Sequence, residues 1–286
     1  MSRCVMAVNA VAIAYAYGLP LAAQQVPDRV FRPPIEAPAY AEGKGPVVCL
    51  DEAHASFHTL DGRFWAFGEL IRRDGYAVRA LRAKFDRASL AQCAILVISN
   101  AQPSDAEWDT YPYPTPSAFT PEEVHATHRW VRGGGSLLLV ADHMPLAGAA
   151  ADLAAAFGVT FTDGFAVEGF GVDSERDAAF AKPTMFRTAD QTLRPHAIVR
   201  GRGASESVTS VRTFTGQAFQ APATAEPLLV LPATFIALMP ENAWQFGPDT
   251  RRVPVGGWFQ GAVMRVESGR AGAVPTKRTL PCLAAA

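Results

Sequence analysis

Four short, mainly apolar runs mark the first half of the chain, the second interrupted by Arg79, with polar, helix-periodic segments between them. They are Pro46–Asp51, Tyr76–Leu81, Ala94–Ser99 and Ser136–Ala141. Runs of this length without polar alternation predict strands buried on both faces. From Gly62 to Asp74, Phe64, Phe67, Leu70 and Ile71 recur at helical spacing, with Asp61 as the expected N-cap and Gly75 as the terminator. Thr120-Pro121-Glu122-Glu123 carries a capping residue, a proline at the first helical position and a glutamate that can close a capping box. That helix runs to Gly133-Gly134-Gly135, and an Ala-rich helix is expected from Ala149 to Phe157, closed by Gly158. Strands alternating with helices mean an α/β fold with a parallel sheet covered on both faces.

The second half changes character. Val208–Phe214, Leu228–Leu231, Phe235–Met239 and Trp258–Val266 read as strands with no helical pattern between them, which predicts antiparallel additions, a β-rich C-terminal extension. At the other end, residues 1–23 carry one charge, Arg3, then an apolar run and a Gly18-Leu19-Pro20 break before small residues. That layout is a secretory signal peptide, and it predicts a periplasmic or secreted protein with no integral membrane span once the signal is removed. Residues 24–45 read as an extended linker, 46–270 as a single α/β domain and 271–286 as a disordered tail.

Composition narrows the classes. Hydrophobic residues are 49% of the chain and charged residues 19%, enough apolar material for a packed core. A formal net charge of −1, with basic residues scattered singly or in pairs, leaves no footprint for nucleic acid. Beyond the leader three cysteines remain, Cys49, Cys93 and Cys282. An odd count without short spacings argues against a disulfide framework and a cysteine zinc site, so Cys49 reads as a small buried hydrophobe.

Ligands of open parallel sheets bind beyond the carboxyl ends of the strands. That rule selects Asp51-Glu52-Ala53-His54 with His58 after the first strand, Asn100 and a long loop after the third, and Asp142-His143 after the fourth. His54, His58, Asp142 and His143 form a mixed nitrogen and oxygen set suited to a divalent ion such as Zn, Mn or Fe; the carboxylates alone would suit Ca. The other reading of the same groups is ordinary hydrogen bonding at strand ends and helix N-termini. The loop from Pro103 to Phe119 holds four prolines with Trp108, Tyr111 and Tyr113, and a connection this long is a candidate lid or binding loop for an apolar or sugar-like ligand. No Gly-x-Ser-x-Gly elbow, phosphate-binding glycine loop or His-Glu-x-x-His helix occurs.

Asp51-Glu52-Ala53-His54 with Phe57-His58-Thr59, the Trp130-Val131 to Val140 run through three glycines, and Ala141-Asp142-His143-Met144-Pro145 resemble a bacterial domain family of unknown function. That family is assigned to the class I glutamine amidotransferase-like fold. The resemblance covers residues 46–160 and continues through Thr213–Phe219; it implies a flavodoxin-like parallel sheet. Amidotransferases place a nucleophilic Cys on the turn that here reads Val140-Ala141-Asp142-His143, so glutamine hydrolysis by a thiol is not expected.

Two functions follow as expectations. In the first, a metal-assisted hydrolase of an ester, lactone or amide acts on a small-molecule substrate. His54, His58, Asp142 or His143 hold the ion, Glu52 or Asp51 serves as general base, Asn100 binds the oxyanion, and Trp108, Tyr111 and Tyr113 select the substituent. In the second, a non-catalytic exported module binds a glycan or protein partner through the same edge.

Overall fold

The computed structural model describes residues 26–30, 32–104, 111–169, 184–213, 215–266 and 282–285. The expected signal peptide, Trp108 and Phe214 lie outside them.

The four apolar runs form β1 (Val47–Asp51), β2 (Ala77–Leu81), β3 (Ile95–Ser99) and β4 (Ser136–Val140). All pair in parallel, in the order β2-β1-β3-β4. Their side chains alternate between two cores. Cys49, Leu96, Ile98, Leu137 and Leu139 join a cluster with Val124, Val131 and Leu153, whereas Val48, Leu50 and Val97 pack with Phe64, Phe67 and Ile71. In β1, β3 and β4 both faces are therefore largely dry, while the edge strand β2 carries the exposed Arg79; each fully buried leucine contributes about 2 kcal/mol.

One face is covered by α1 (Trp65–Arg73). Its expected N-cap, Asp61, does not cap: the chain first turns through Thr59–Phe64, Gly62 N–H donating to the Thr59 carbonyl, and the helix starts after Phe64 without a side-chain cap. Leu70 is exposed despite its helical spacing. The short α2 (Arg87–Leu90) precedes β3, and α3 (Pro121–Arg132) has the anticipated capping box between Thr120 and Glu123. The Ala-rich segment is two short helices, α4 (Leu146–Ala149) and α5 (Ala151–Ala155), rather than one, with Ala150 between them at φ −100° and ψ 0°.

The second half is antiparallel. β5 (Thr160–Phe161) pairs β9 (Phe219–Gln220), which pairs β13 (Phe259–Met264); β10 (Glu226–Val230) pairs β13 as well. β6 (Phe165–Glu168), β11 (Phe235–Met239) and β12 (Arg251–Pro254) make a three-stranded sheet, and β7 (Thr184–Arg187) pairs β8 (Ser210–Thr213).

Two expectations fail. Within the tail read as disordered, residues 282–285 form β14 (Cys282–Ala285), parallel to β4 and antiparallel to β13, the seam between the two halves, while the rest of that tail lies outside the described residues. Cys49 is no isolated hydrophobe: it is disulfide-bonded to Cys93, with Cα atoms 5.7 Å apart. An odd total only requires one cysteine to be left over. Among its described residues the linker carries no helix or strand, yet it is laid against α1. Arg29 and Arg32 lie over the Trp65 ring, Ala39 N–H donates to Asp74, and Tyr40 N–H donates to the Asp74 carbonyl. Among the described residues no helix is long and apolar enough to cross a membrane.

Candidate functional site

The carboxyl ends of β1, β3 and β4 gather the polar residues that the strand-end rule selected. Asp51, the last residue of β1, is fully buried and accepts hydrogen bonds from Ala53 N–H and Ser56 Oγ. Its oxygens lie 2.9 and 3.0 Å from His54 Nδ1, and His54 Nε2 lies 2.9 Å from Glu123 Oε1. Glu123 also accepts from Phe85 N–H at 3.1 Å and from Thr120 N–H at 3.1 Å. A neutral imidazole has a single N–H, so only the imidazolium donates to both carboxylates. Burial alone would lower the His54 pKa, but the hydrogen bonds and charges of Asp51 and then Glu123 outweigh it and raise it above 6.5. Burial likewise works against the Glu123 carboxylate, and its bonds from Thr120, His54 and Phe85 outweigh that and hold its pKa down. Phe85 and Phe119, stacked on each other, both pack against the imidazole. The result is a buried Asp–His–Glu clamp tying β1, the turn after β2 and the start of α3.

The other candidates are engaged separately. Glu52 accepts from Leu60 N–H at 2.9 Å and pairs with Arg82 at 2.9 Å. His58 Nδ1 is 2.8 Å from Ser99 Oγ, its ring stacks on Phe64, and burial with the Arg63 charge lowers its pKa to about 4. Asn100 has φ +54°, and its side-chain oxygen accepts from Asp142 N–H at 2.9 Å. Asp142 in turn accepts from His143 N–H, and burial raises its carboxyl pKa. From the second half, Gln217 donates to the Ala141 carbonyl and Thr215 Oγ1 reaches Asp142. Among the described residues, no three His, Cys, Asp or Glu side chains are grouped as a metal ion requires. His54, His58, Asp142 and His143 share the strand-end edge, with His54 bonded to Asp51 and Glu123, His58 to Ser99, and His143 Nδ1 2.7 Å from the Met144 carbonyl.

Beside this polar edge lies an aromatic one. Pro112 bridges Asn242, Tyr113 N–H donates to the Glu241 carbonyl, and Ala243 N–H donates to the Tyr111 carbonyl. The loop after β3 is thereby fastened to the segment after β11. That segment brings Trp244 and Phe246 against Phe165, with ring centroids 4.7 and 5.0 Å away, and His143 stacks on Phe165 at 4.7 Å. Trp244 and Phe246 are half-buried, Trp244 adopts φ +64°, and Tyr113 is 48% exposed. Tyr111 is half-buried with its hydroxyl 2.6 Å from Ser104 Oγ. Sequence reasoning reached Tyr111 and Tyr113 but missed Trp244 and Phe246. Their position in a Pro- and Gly-punctuated segment between strands was the available signal. Glu123 was legible only as a helix cap.

The chain is therefore a mixed α/β protein whose parallel sheet presents a polar strand-end cluster flanked by aromatic side chains. No protein-family model and no curated protein matches it. Among solved structures it is similar to the N-terminal domain of mmIFT52, with a TM-score of 0.54 at 9% identity over 84% of this chain and 85% of that one. That likeness is one of fold. An exo-β-1,4-mannosidase from Opitutaceae bacterium strain TAV5 aligns with a TM-score of 0.38 and 11% identity over 85% of this chain and 31% of that one. A ThuA-like protein from Bacteroides uniformis aligns with a TM-score of 0.37 and 13% identity over 82% of this chain and 80% of that one.

Proposed function

We propose that this chain is a non-catalytic, exported module that binds a glycan through the aromatic edge formed by Tyr113, Trp244 and Phe246. The observation that carries the reading is a division of labour at the strand ends. Asp51, His54, Glu52 and Glu123 are committed to one another, to Arg82 or to backbone N–H groups. The aromatic side chains that meet the strand ends at His143 are partly open to solvent. A sugar ring offers apolar C–H faces to aromatic rings and hydroxyls to polar neighbours, here Asn242, Gln245 and Glu241. The positive φ of Trp244 is a backbone cost of the kind that accumulates at binding sites. A flavodoxin-like architecture agrees with the order β2-β1-β3-β4-β14, which matches the 2-1-3-4-5 order of that class. In that class ligands sit at the strand carboxyl ends, where this edge lies.

The test is calorimetric titration of the purified chain with soluble cello-, chito- and malto-oligosaccharides, with product analysis and with and without a chelator. The proposal expects saturable binding to one of them, unchanged by the chelator, with no cleavage. Tyr113→Ala, at an exposed position, should weaken binding about tenfold, the order of one aromatic contact. Chelator-sensitive cleavage of an oligosaccharide, ester or lactone would instead restore the metal-assisted hydrolase. Absence of binding to all three sugars by a cooperatively folding sample would end the glycan assignment.

A further inference from the structure

Cys49 sits midway along β1, and Cys93 closes the turn that enters β3. The strand ladder fixes both positions: Cys49 is in register with Leu96, and Ala94 N–H donates to the Val47 carbonyl. Both side chains belong to the core cluster, Cys49 at 0% and Cys93 at 8% exposure. The bond between them closes a loop with a sequence separation of 44 that carries α1, β2, α2 and the residues Asp51, His54 and His58.

We infer that Cys49–Cys93 is a structural oxidation site, formed by exchange with a disulfide-carrying thiol oxidant after the chain leaves the reducing cytosol. Two thiols lose two protons and two electrons to form the bond, and the oxidant's disulfide is reduced to two thiols. Interiors are close-packed, so a core shaped around the bonded pair has to make room for two separate thiols. A buried disulfide is also out of reach of an attacking thiolate, which separates it from exposed, exchanging ones. Such bonds persist in oxidising compartments and are rare in the cytosol. The pairing thus joins the N-terminal leader pattern as a second, independent pointer to export. This inference does not depend on the glycan reading.

The test expresses the full chain, and a variant lacking residues 1–23, in a bacterium with a periplasm. Thiols are trapped by alkylation in acid, and non-reducing peptide maps are compared between compartments. The exported protein should yield the Cys49 and Cys93 peptides joined, and the retained variant should have both cysteines alkylated. With reductant the folded exported protein should keep the bond, yet melt on the order of 10 °C lower because reduction follows unfolding. Cys49→Ala with Cys93→Ala should show a similar drop. If that pair does not fold, the wild-type chain refolded with and without reductant gives the same reading. Full alkylation of both cysteines in the folded exported protein, or an unchanged melting temperature, would overturn the structural role. A complete bond in the retained variant would overturn the compartment.

Discussion

His54 and His58 occupy one loop yet meet opposite environments. His54 lies between two carboxylates, and its pKa is raised above 6.5; His58 faces Ser99 beneath Phe64 with Arg63 near, and its pKa falls to about 4. Above pH 6.5 the folded chain keeps the His54 proton that the unfolded chain releases, so this contribution is lost as pH rises through the folded value. Below 6.5 the unfolded chain takes up a proton that folded His58 refuses, so stability falls as pH drops towards 4. Urea denaturation across pH should therefore peak near 6.5, with His54→Gln flattening the alkaline limb and His58→Asn the acid one. His54→Gln should also cost about 3 kcal/mol at neutral pH, because two buried carboxylates lose the cation between them. A loss below 1 kcal/mol would mean, by the same reasoning, that the clamp is not charged.

At the scale of elements, the start of α3 bears two loads that can be separated. Thr120→Ala removes only the cap on Glu123 N–H and should cost about 1 kcal/mol. Glu123→Ala removes the reciprocal cap together with the bonds to Phe85 N–H and His54, and chemical denaturation should show a loss about three times larger. Equal losses would place Glu123 outside the clamp. The strap before β1 makes its own prediction at Gly75, which has φ +93° and where a Cβ would stand 2.1 Å from the Tyr40 carbonyl oxygen. Gly75→Ala should destabilise the fold by about 2 kcal/mol and expose the 26–45 segment to limited proteolysis. The Thr120–Glu123 cap and the four parallel strands were legible because they are written in local spacing. The clamp partner of His54 was not, since Glu123 is 69 residues away and only the packing of α3 brings it in. Trp244 and Phe246 were hidden for a related reason: an aromatic pair in a loop has no periodicity to read.

For the molecule as a whole, β14 is the piece that sequence patterning misread. Leu283-Ala284-Ala285 is too short and too plain to signal a strand, and its role comes from lying between β4 and β13. Removing residues 267–286 should leave two unpaired edges, and light scattering should show self-association of the shortened chain. A monomer as stable as the full chain would mean that the seam closes without β14. The Cys49–Cys93 pairing escaped for a different reason: two cysteines 44 apart in sequence are neighbours only because β1 and β3 are. The central claim, that polar strand ends hold the fold while the aromatic edge receives the ligand, is tested most directly by amide chemical-shift mapping. The folded chain would be titrated in turn with cello-, chito- and malto-oligosaccharides. The account predicts shifts concentrated in residues 111–114 and 241–246, saturating with one sugar and indifferent to chelator. Shifts centred on Asp51, His58 and Asp142 that appear only with a divalent ion present would contradict it and move the function back to the strand ends.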